Sequence, residues 1–117
     1  IIEHDIKSFS STLDINGTLI ITKKISDKVG SNRILKLFSK DISIATEIPK
    51  NISINNILET KVNNIKIHKQ KGSVDITLVI GKQEIISEIT FRSYKKLKLK
   101  KGLKVYALIK AISIVGK

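Results

Sequence analysis

Short blocks of Ile, Val and Leu recur along the chain, and most of them alternate with polar residues in the two-residue period of a β-strand. Gly, Asn and Lys separate these blocks at spacings that are typical of strands and turns. The pattern therefore predicts an all-β fold with few or very short helices. The predicted strands are residues 10–15, 18–23, 33–38, 42–46, 58–67, 74–80, 83–90, 105–110 and 112–115.

Two short turns predict β-hairpins. Asn16-Gly17 separates the first two strands, and a type I′ turn requires the positive φ angles that Asn and Gly tolerate. Gly81-Lys82 separates strands 74–80 and 83–90, where Gly at the first central position suits a type II′ turn. A short helix is predicted over residues 91–97, because the Thr90 hydroxyl could cap the first turn.

The position of the single proline predicts a division of the chain. Pro49 lies in the polar stretch 47–51, which marks a seam between two halves. A weak internal repeat supports this division, since residues 33–44 resemble residues 104–114, and each copy ends in Ile-Ser-Ile. We therefore expect two small OB-like barrel modules, residues 1–50 and residues 51–117.

Composition limits the classes of function. The 117 residues contain no Cys, which removes disulfides, thiolate catalysis and cysteine zinc sites. No apolar run reaches the length of about 20 residues that a membrane span requires, and no secretory signal is present, so we expect a soluble part of a longer chain. The net charge of +12 favours anionic partners, although Lys, Ile and Asn also abound in chains encoded by AT-rich DNA.

Signals for catalysis and for metal binding are weak. There is no phosphate-binding loop, and His4 and His68 have no second His at a metal-ligand spacing. Glu84 and Glu88 fall on one side of a predicted strand, which favours a solvated face over a paired-carboxylate site. We therefore expect no enzyme activity, no metal and no cofactor. The basic run 95–104 favours a solvated turn over a nucleic-acid site, because the aromatic residues are not grouped for base stacking.

Three separate segments contain short hydrogen-bond donors. They are Ser-Ile-Asn-Asn at residues 53–56, Ile-Thr-Phe-Arg-Ser at residues 89–93 and Lys-Val-Tyr-Ala-Leu-Ile-Lys-Ala at residues 104–111. A tetrahedral dianion presents only acceptors, so a site for it needs hydroxyls, amides and a cation. Ser53, Thr90, Ser93 and Lys110 supply such a set, with Lys110 standing in an otherwise apolar strand. Turn chemistry around Ser53 and helix capping by Thr90 remain alternatives.

These segments resemble the molybdate-binding Mop or TOBE module over residues 52–115. That module usually opens with Ser-Ala-Arg-Asn and ends on a strand similar to Val-Tyr-Ala-Leu-Ile-Lys-Ala. The first half, with Glu-His-Asp at residues 3–5 and Ser-Lys-Asp-Ile-Ser-Ile-Ala at residues 39–45, resembles the segment that precedes the module in molybdate importer ATPases.

The resemblance implies the ligands of an oxyanion site. By position they are Ser53, Asn55, Asn56, Thr90, Ser93, Lys110 and the backbone amide of Ala111. The chain departs from the family at Asn55, which stands where the module usually has Arg. Because Asn is neutral, the site has one charge fewer, and binding is expected to be weaker or lost.

The resemblance also implies a function and partners. It indicates a cytoplasmic regulatory domain that binds molybdate or tungstate, forms a homodimer and acts on the ATPase domain of its parent chain. Through that ATPase domain it would reach the permease subunits at the inner face of the membrane. The alternatives are a dimerisation module that has lost its ligand and, less favoured, an OB-type nucleic-acid binder.

Overall fold

The computed structural model describes residues 38–110 in full and, elsewhere, the backbone of strands within residues 3–5, 10–15, 18–23, 34–36 and 113–115. The strands are β1 (Glu3–Asp5), β2 (Ser10–Ile15), β3 (Thr18–Lys23), β4 (Ile34–Lys36), β5 (Ile42–Ala45), β6 (Asn56–His68), β7 (Ser73–Ile80), β8 (Gln83–Thr90), β9 (Lys104–Ile109) and β10 (Ser113–Val115). The helix α1 covers Phe91–Leu97, and a 3-10 helix covers Ser39–Asp41. The fold is mostly β, as the sequence predicts.

Contacts divide the chain into two compact units. The first comprises Ile1–Lys36 with Ile112–Lys117, and the second is Leu37–Ala111. The first contains an antiparallel sheet in the order β1-β2-β3 and a pair formed by β4 and β10. Strand β1 was not predicted. Strand β5, which precedes Pro49 in the sequence, pairs with β9, which follows it. The division into two OB-like modules, residues 1–50 and residues 51–117, stays a prediction.

The second unit contains one antiparallel sheet of five strands in the order β5-β9-β6-β7-β8. Alternation along the strands places one face in the core; on β7, for example, Val74, Ile76 and Leu78 are fully buried. Burial of each such side chain stabilises the fold by about 1.5–3 kcal/mol. The rest of the buried apolar core comprises Ile42, Val62, Leu99, Val105, Ala107 and Ile109.

The predicted hairpins and the predicted helix are confirmed. Ile15 pairs with Thr18 across the first hairpin, whose turn residues 16 and 17 lie outside the described residues. Gly81 has a φ of 57°, which is the positive value that the predicted turn requires at its first central position. Helix α1 begins after Thr90 and ends at Leu97, and Lys98 caps its end in the left-handed conformation with a φ of 53°.

A β-bulge in β6 positions the turn that precedes β9. The register of β6 on β7 shifts between Val62 and Asn64. At this point the Val62 N–H donates to the Leu103 carbonyl at 2.9 Å, and the Gly102 N–H donates to the Val62 carbonyl at 2.8 Å. Gly102 has a φ of 87°, which a residue with a side chain rarely adopts. The turn is therefore anchored to the middle of β6.

Candidate functional site

The first and third donor segments meet at one end of the five-stranded sheet. Asn56 opens β6 and lies opposite Ile109, the last residue of β9. Lys110 directly follows Ile109, and residues 53–55 directly precede Asn56. Because the two strands are antiparallel, both segments extend from the same end of the sheet. The pairing therefore brings the start of β6 next to the end of β9, and we call residues 53–56 together with Lys110 the donor end. Ser53 and Asn55 are exposed, whereas Asn56 is buried and has an interaction partner of its own.

The surroundings of Lys110 differ from the sequence prediction. Strand β9 ends at Ile109, one residue earlier than predicted, and the Lys110 side chain is exposed. The core face of β9 consists of Val105, Ala107 and Ile109, so a lysine at position 110 does not enter the core. Its backbone N–H donates to the Asp41 carbonyl at 3.4 Å. The ammonium thus lies at the rim of the sheet, where an anion from solvent can reach it.

The second donor segment forms a hydroxyl pair at the start of α1. The Thr90 Oγ1 atom accepts a hydrogen bond from the Ser93 N–H at 3.1 Å and donates one to the Ser93 hydroxyl oxygen at 3.0 Å. The predicted N-cap is therefore confirmed. Because the Ser93 hydroxyl oxygen accepts in this pair, its own proton remains able to donate to another group. Capping by Thr90 and ligand binding by Ser93 are thus compatible.

The strand pairings place the hydroxyl pair away from the donor end along β6. Thr90 lies opposite Ser73 on β7, and Ser73 lies opposite His68, the last residue of β6. Asn56, by contrast, is the first residue of β6. The predicted ligands therefore form two groups, which the pairings do not bring side by side, and Ala111 lies outside the described residues.

A different route across the sheet connects the two groups. The Ser87 hydroxyl on β8 donates to the Ile42 carbonyl on β5, so the two edge strands of the sheet approach each other. Ser87 precedes Thr90 by three residues, and Ile42 follows Asp41, which accepts from the Lys110 backbone. We call the hydrogen bond between Ser87 and Ile42 the closure.

Sequence reasoning overlooked Ser87, although the pattern contains a signal. Ser87 is fully buried and stands between Ile85 and Ile89 on the inward-facing side of β8, where it interrupts a series of apolar residues. A buried hydroxyl requires a partner, since an unsatisfied polar group is costly in the core. An isolated serine on an apolar strand face therefore indicates a specific contact, but the pattern does not reveal the partner. Asp41 gave no such signal, because it acts through its backbone carbonyl.

The lysines of the basic run are exposed, and backbone hydrogen bonds attach its turn to β6. The basic surface consists of Lys61, Arg92, Lys95, Lys96, Lys98, Lys100, Lys101 and Lys104, all of them exposed. Buried Leu99 and the backbone bonds at Val62 hold its turn in place. The ring centroids of Phe91 and Tyr94 lie 5.8 Å apart, and Lys95 Nζ lies 5.5 Å from the Phe91 ring centre.

Two of the histidine and carboxylate candidates, His68 and Glu84, have other contacts. His68 Nε2 lies 2.9 Å from Asp75 Oδ2 on the neighbouring strand. Glu84 accepts from the Asn63 side-chain amide at 3.1 Å. Among the residues that the structure describes, no group of three or more His, Asp or Glu side chains converges as a metal site. None of the helices in the same part of the chain has the length and apolarity that crossing a bilayer requires.

The chain is similar in sequence to ATP-binding subunits of molybdenum importers. The chain is 27% identical over 112 residues to the molybdenum import ATP-binding protein ModC of Hahella chejuensis, covering 96% of this chain and 31% of that protein. It is 32% identical over 111 residues to ModC of Paramagnetospirillum magneticum, covering 95% of this chain and 30% of that protein. The chain thus spans about a third of the length of these relatives.

A solved structure shares the fold. The cytoplasmic molybdate-binding protein ModG, crystallised with molybdate bound, aligns with a TM-score of 0.70 at 21% identity, covering 84% of this chain and 73% of that chain. The resemblance to molybdate importer ATPases that the sequence indicates is confirmed. The TOBE domain model matches residues 52–115, which is more than half of the chain, and the chain therefore belongs to the TOBE domain family.

Proposed function

We propose that this chain is the oxyanion-binding regulatory domain of the ATP-binding subunit of a molybdate importer, with molybdate or tungstate as its ligand. The observation that carries the proposal is the pairing of Asn56 with Ile109, because it joins residues 53–56 to Lys110 at one rim of the sheet. Membership of the TOBE family, the ModC relatives and the fold shared with ModG support it.

The chemistry of the donor end suits a tetrahedral dianion. Ser53 offers a hydroxyl, Asn55 and Asn56 offer amides, and Lys110 offers an ammonium that neutralises one of the two negative charges. The backbone amide of Ala111 would add a further donor. Hydrogen bonds from charged donors are roughly twice as strong as neutral ones, so Lys110 is expected to contribute most. Asn56, which is buried at the head of β6, would also hold this segment in position.

A second copy of the chain would complete the site. Thr90 and Ser93 belong to a separate group from the donor end, so a homodimer in which the hydroxyl pair of one chain faces the donor end of the other unites all proposed ligands. Two-fold symmetry would then produce two equivalent sites. An anion bound between two chains would stabilise the dimer, because it binds the associated form and not the separate chains.

Regulation would follow from a difference in anion affinity between two arrangements of the parent ATPase. Such coupling between sites is typically about 1–3 kcal/mol. The domain itself would carry out no catalysis, and ATP hydrolysis would belong to the part of the parent protein that the ModC relatives contain beyond this region. The parent would lie in the cytoplasm at the inner face of the membrane, in contact with permease subunits.

Calorimetric titration of the chain with molybdate, tungstate and sulfate tests the proposal. We expect saturable heat with molybdate or tungstate, and light scattering before and after titration should report a dimer. No heat with any of the three anions would remove the sensing function. A stable dimer that ignores all three would favour the alternative, a structural dimerisation module in which Asn55 has replaced the charge that the family usually carries.

A further inference from the structure

Ser87 makes an unusual contact between the two edges of the five-stranded sheet. Ser87 is 0% exposed, and its hydroxyl donates to the carbonyl of Ile42, which lies 45 positions away in the sequence. Strands β5 and β8 are the two ends of the sheet order, and in the described part of the chain no backbone ladder joins them. The closure therefore links strands whose relative position the ladders do not fix directly.

The closure lies close to the backbone of Lys110. Ile42 lies opposite Ile109, the residue before Lys110. Asp41, the residue before Ile42, accepts a hydrogen bond from the Lys110 backbone N–H at 3.4 Å. A displacement of β5 would therefore move the acceptor that holds the Lys110 backbone. On the other side of the closure, Ser87 lies three residues before Thr90, the cap of α1.

We infer that Ser87 is a positioning residue for the oxyanion site, because its hydroxyl ties β5 to β8 and so holds in place the Asp41 carbonyl that accepts from the Lys110 backbone. Ser87 is buried and acts through the backbone of Ile42 and Asp41, not by contact with the anion. The inference rests on the proposed function for the identity of the ligand. The connection between Ser87 and the Lys110 backbone rests on the fold alone.

Thr60 provides a matched control for the closure. It is 4% exposed, and its hydroxyl donates to the Val105 carbonyl at 3.0 Å, also across 45 positions of sequence. Thr60 and Val105 are register partners of β6 and β9, so their relative position is already fixed by the ladder. Removal of the Thr60 hydroxyl should therefore weaken the fold without releasing β5 from β8.

Titration with molybdate of the wild type, Ser87→Ala and Thr60→Val tests the positioning role. We expect Ser87→Ala to raise the Kd about three- to tenfold, the range that loss of one hydrogen bond produces. Thr60→Val should leave the Kd unchanged, although urea unfolding should find both variants less stable than the wild type. An unchanged Kd in folded Ser87→Ala would overturn the inference while leaving the proposed function intact.

Hydrogen exchange at the Lys110 backbone amide provides a readout that needs no ligand. We expect faster exchange at this amide in Ser87→Ala and wild-type exchange in Thr60→Val. Equal protection in all three proteins would overturn the inference, even if the wild type binds no oxyanion and the proposed function fails. If Ser87→Ala does not fold, Ser87→Cys replaces it, since the thiol is a weaker donor, and the same acceleration is expected to a smaller degree.

Discussion

Individual residues decide the charge of the proposed site. Lys110 is the one cation among the proposed ligands, and it is exposed at the rim of the sheet instead of enclosed in an apolar strand. The sequence nominated this residue for the site but did not predict its exposure, because alternation alone does not show where a strand ends. Its role as a ligand stays a prediction. An exposed ammonium retains its hydration until an anion binds, so the empty site carries no buried charge.

Asn55 is the residue at which a gain of binding can be predicted. It is exposed, so Asn55→Arg can be accommodated without repacking, and it would restore the charged fork that the family usually has. A charge-assisted hydrogen bond in place of a neutral one should lower the Kd for molybdate about five- to tenfold. Asn64→Arg, at an exposed position within β6, adds the same charge and should leave the Kd near the wild-type value. Equal tightening by both variants would show that net charge alone matters.

At the scale of elements, local patterns predict most of the fold. Both hairpins and α1 follow from turn residues and a cap within a few positions of each other, and α1 covers the predicted residues 91–97. The bulge in β6 and the closure between β5 and β8 depend on contacts between segments distant in sequence, which alternation does not encode. The proposed site depends on the same long-range contacts, so the sequence could nominate its residues but could not predict their arrangement.

The hydroxyl pair allows capping and ligand binding to be separated. Thr90→Ala removes the acceptor of the Ser93 N–H and should lower the free energy of unfolding by about 0.5–2 kcal/mol. Ser93→Ala keeps that backbone N–H and the cap, so its effect on stability should be less than about 0.5 kcal/mol. Both variants should raise the Kd for molybdate. If Ser93→Ala binds molybdate as tightly as the wild type, the pair serves as a cap and not as a ligand.

The whole molecule has an excess of positive charge that the proposed anion site does not require. On the basic surface, Lys61 lies opposite Lys104 in the ladder between β6 and β9, and like charges in direct opposition are unfavourable. Lys98 occupies a left-handed position at the end of α1 where Gly is usual. In the described residues this surface has a single ion pair, between Lys104 and Glu59 at 3.7 Å, and both side chains are largely exposed.

This surface predicts weak binding to the phosphate backbone of nucleic acids. We expect a duplex oligonucleotide to bind at low salt and to dissociate as salt rises, since phosphate contacts release counterions. The triple variant Lys98→Gln, Lys100→Gln, Lys101→Gln should bind more weakly than Lys66→Gln, Lys69→Gln, Lys71→Gln, which removes equal charge from exposed positions elsewhere. Mobility shifts at two salt concentrations measure this difference. Equal loss in both triple variants would contradict a localised surface, and molybdate binding should be unaffected in either.

The central claim is that the ammonium at the end of β9 binds a small dianion. Lys104 is the first residue of this strand and Lys110 directly follows its last residue. Both are exposed, so Lys104→Gln and Lys110→Gln remove the same charge at opposite ends of β9. The most direct measurement is calorimetric titration of both variants and the wild type with molybdate. We predict a Kd at least about tenfold higher for Lys110→Gln, as expected when a charge-assisted hydrogen bond is lost, and a wild-type Kd for Lys104→Gln. Equal affinities for all three proteins would contradict the account.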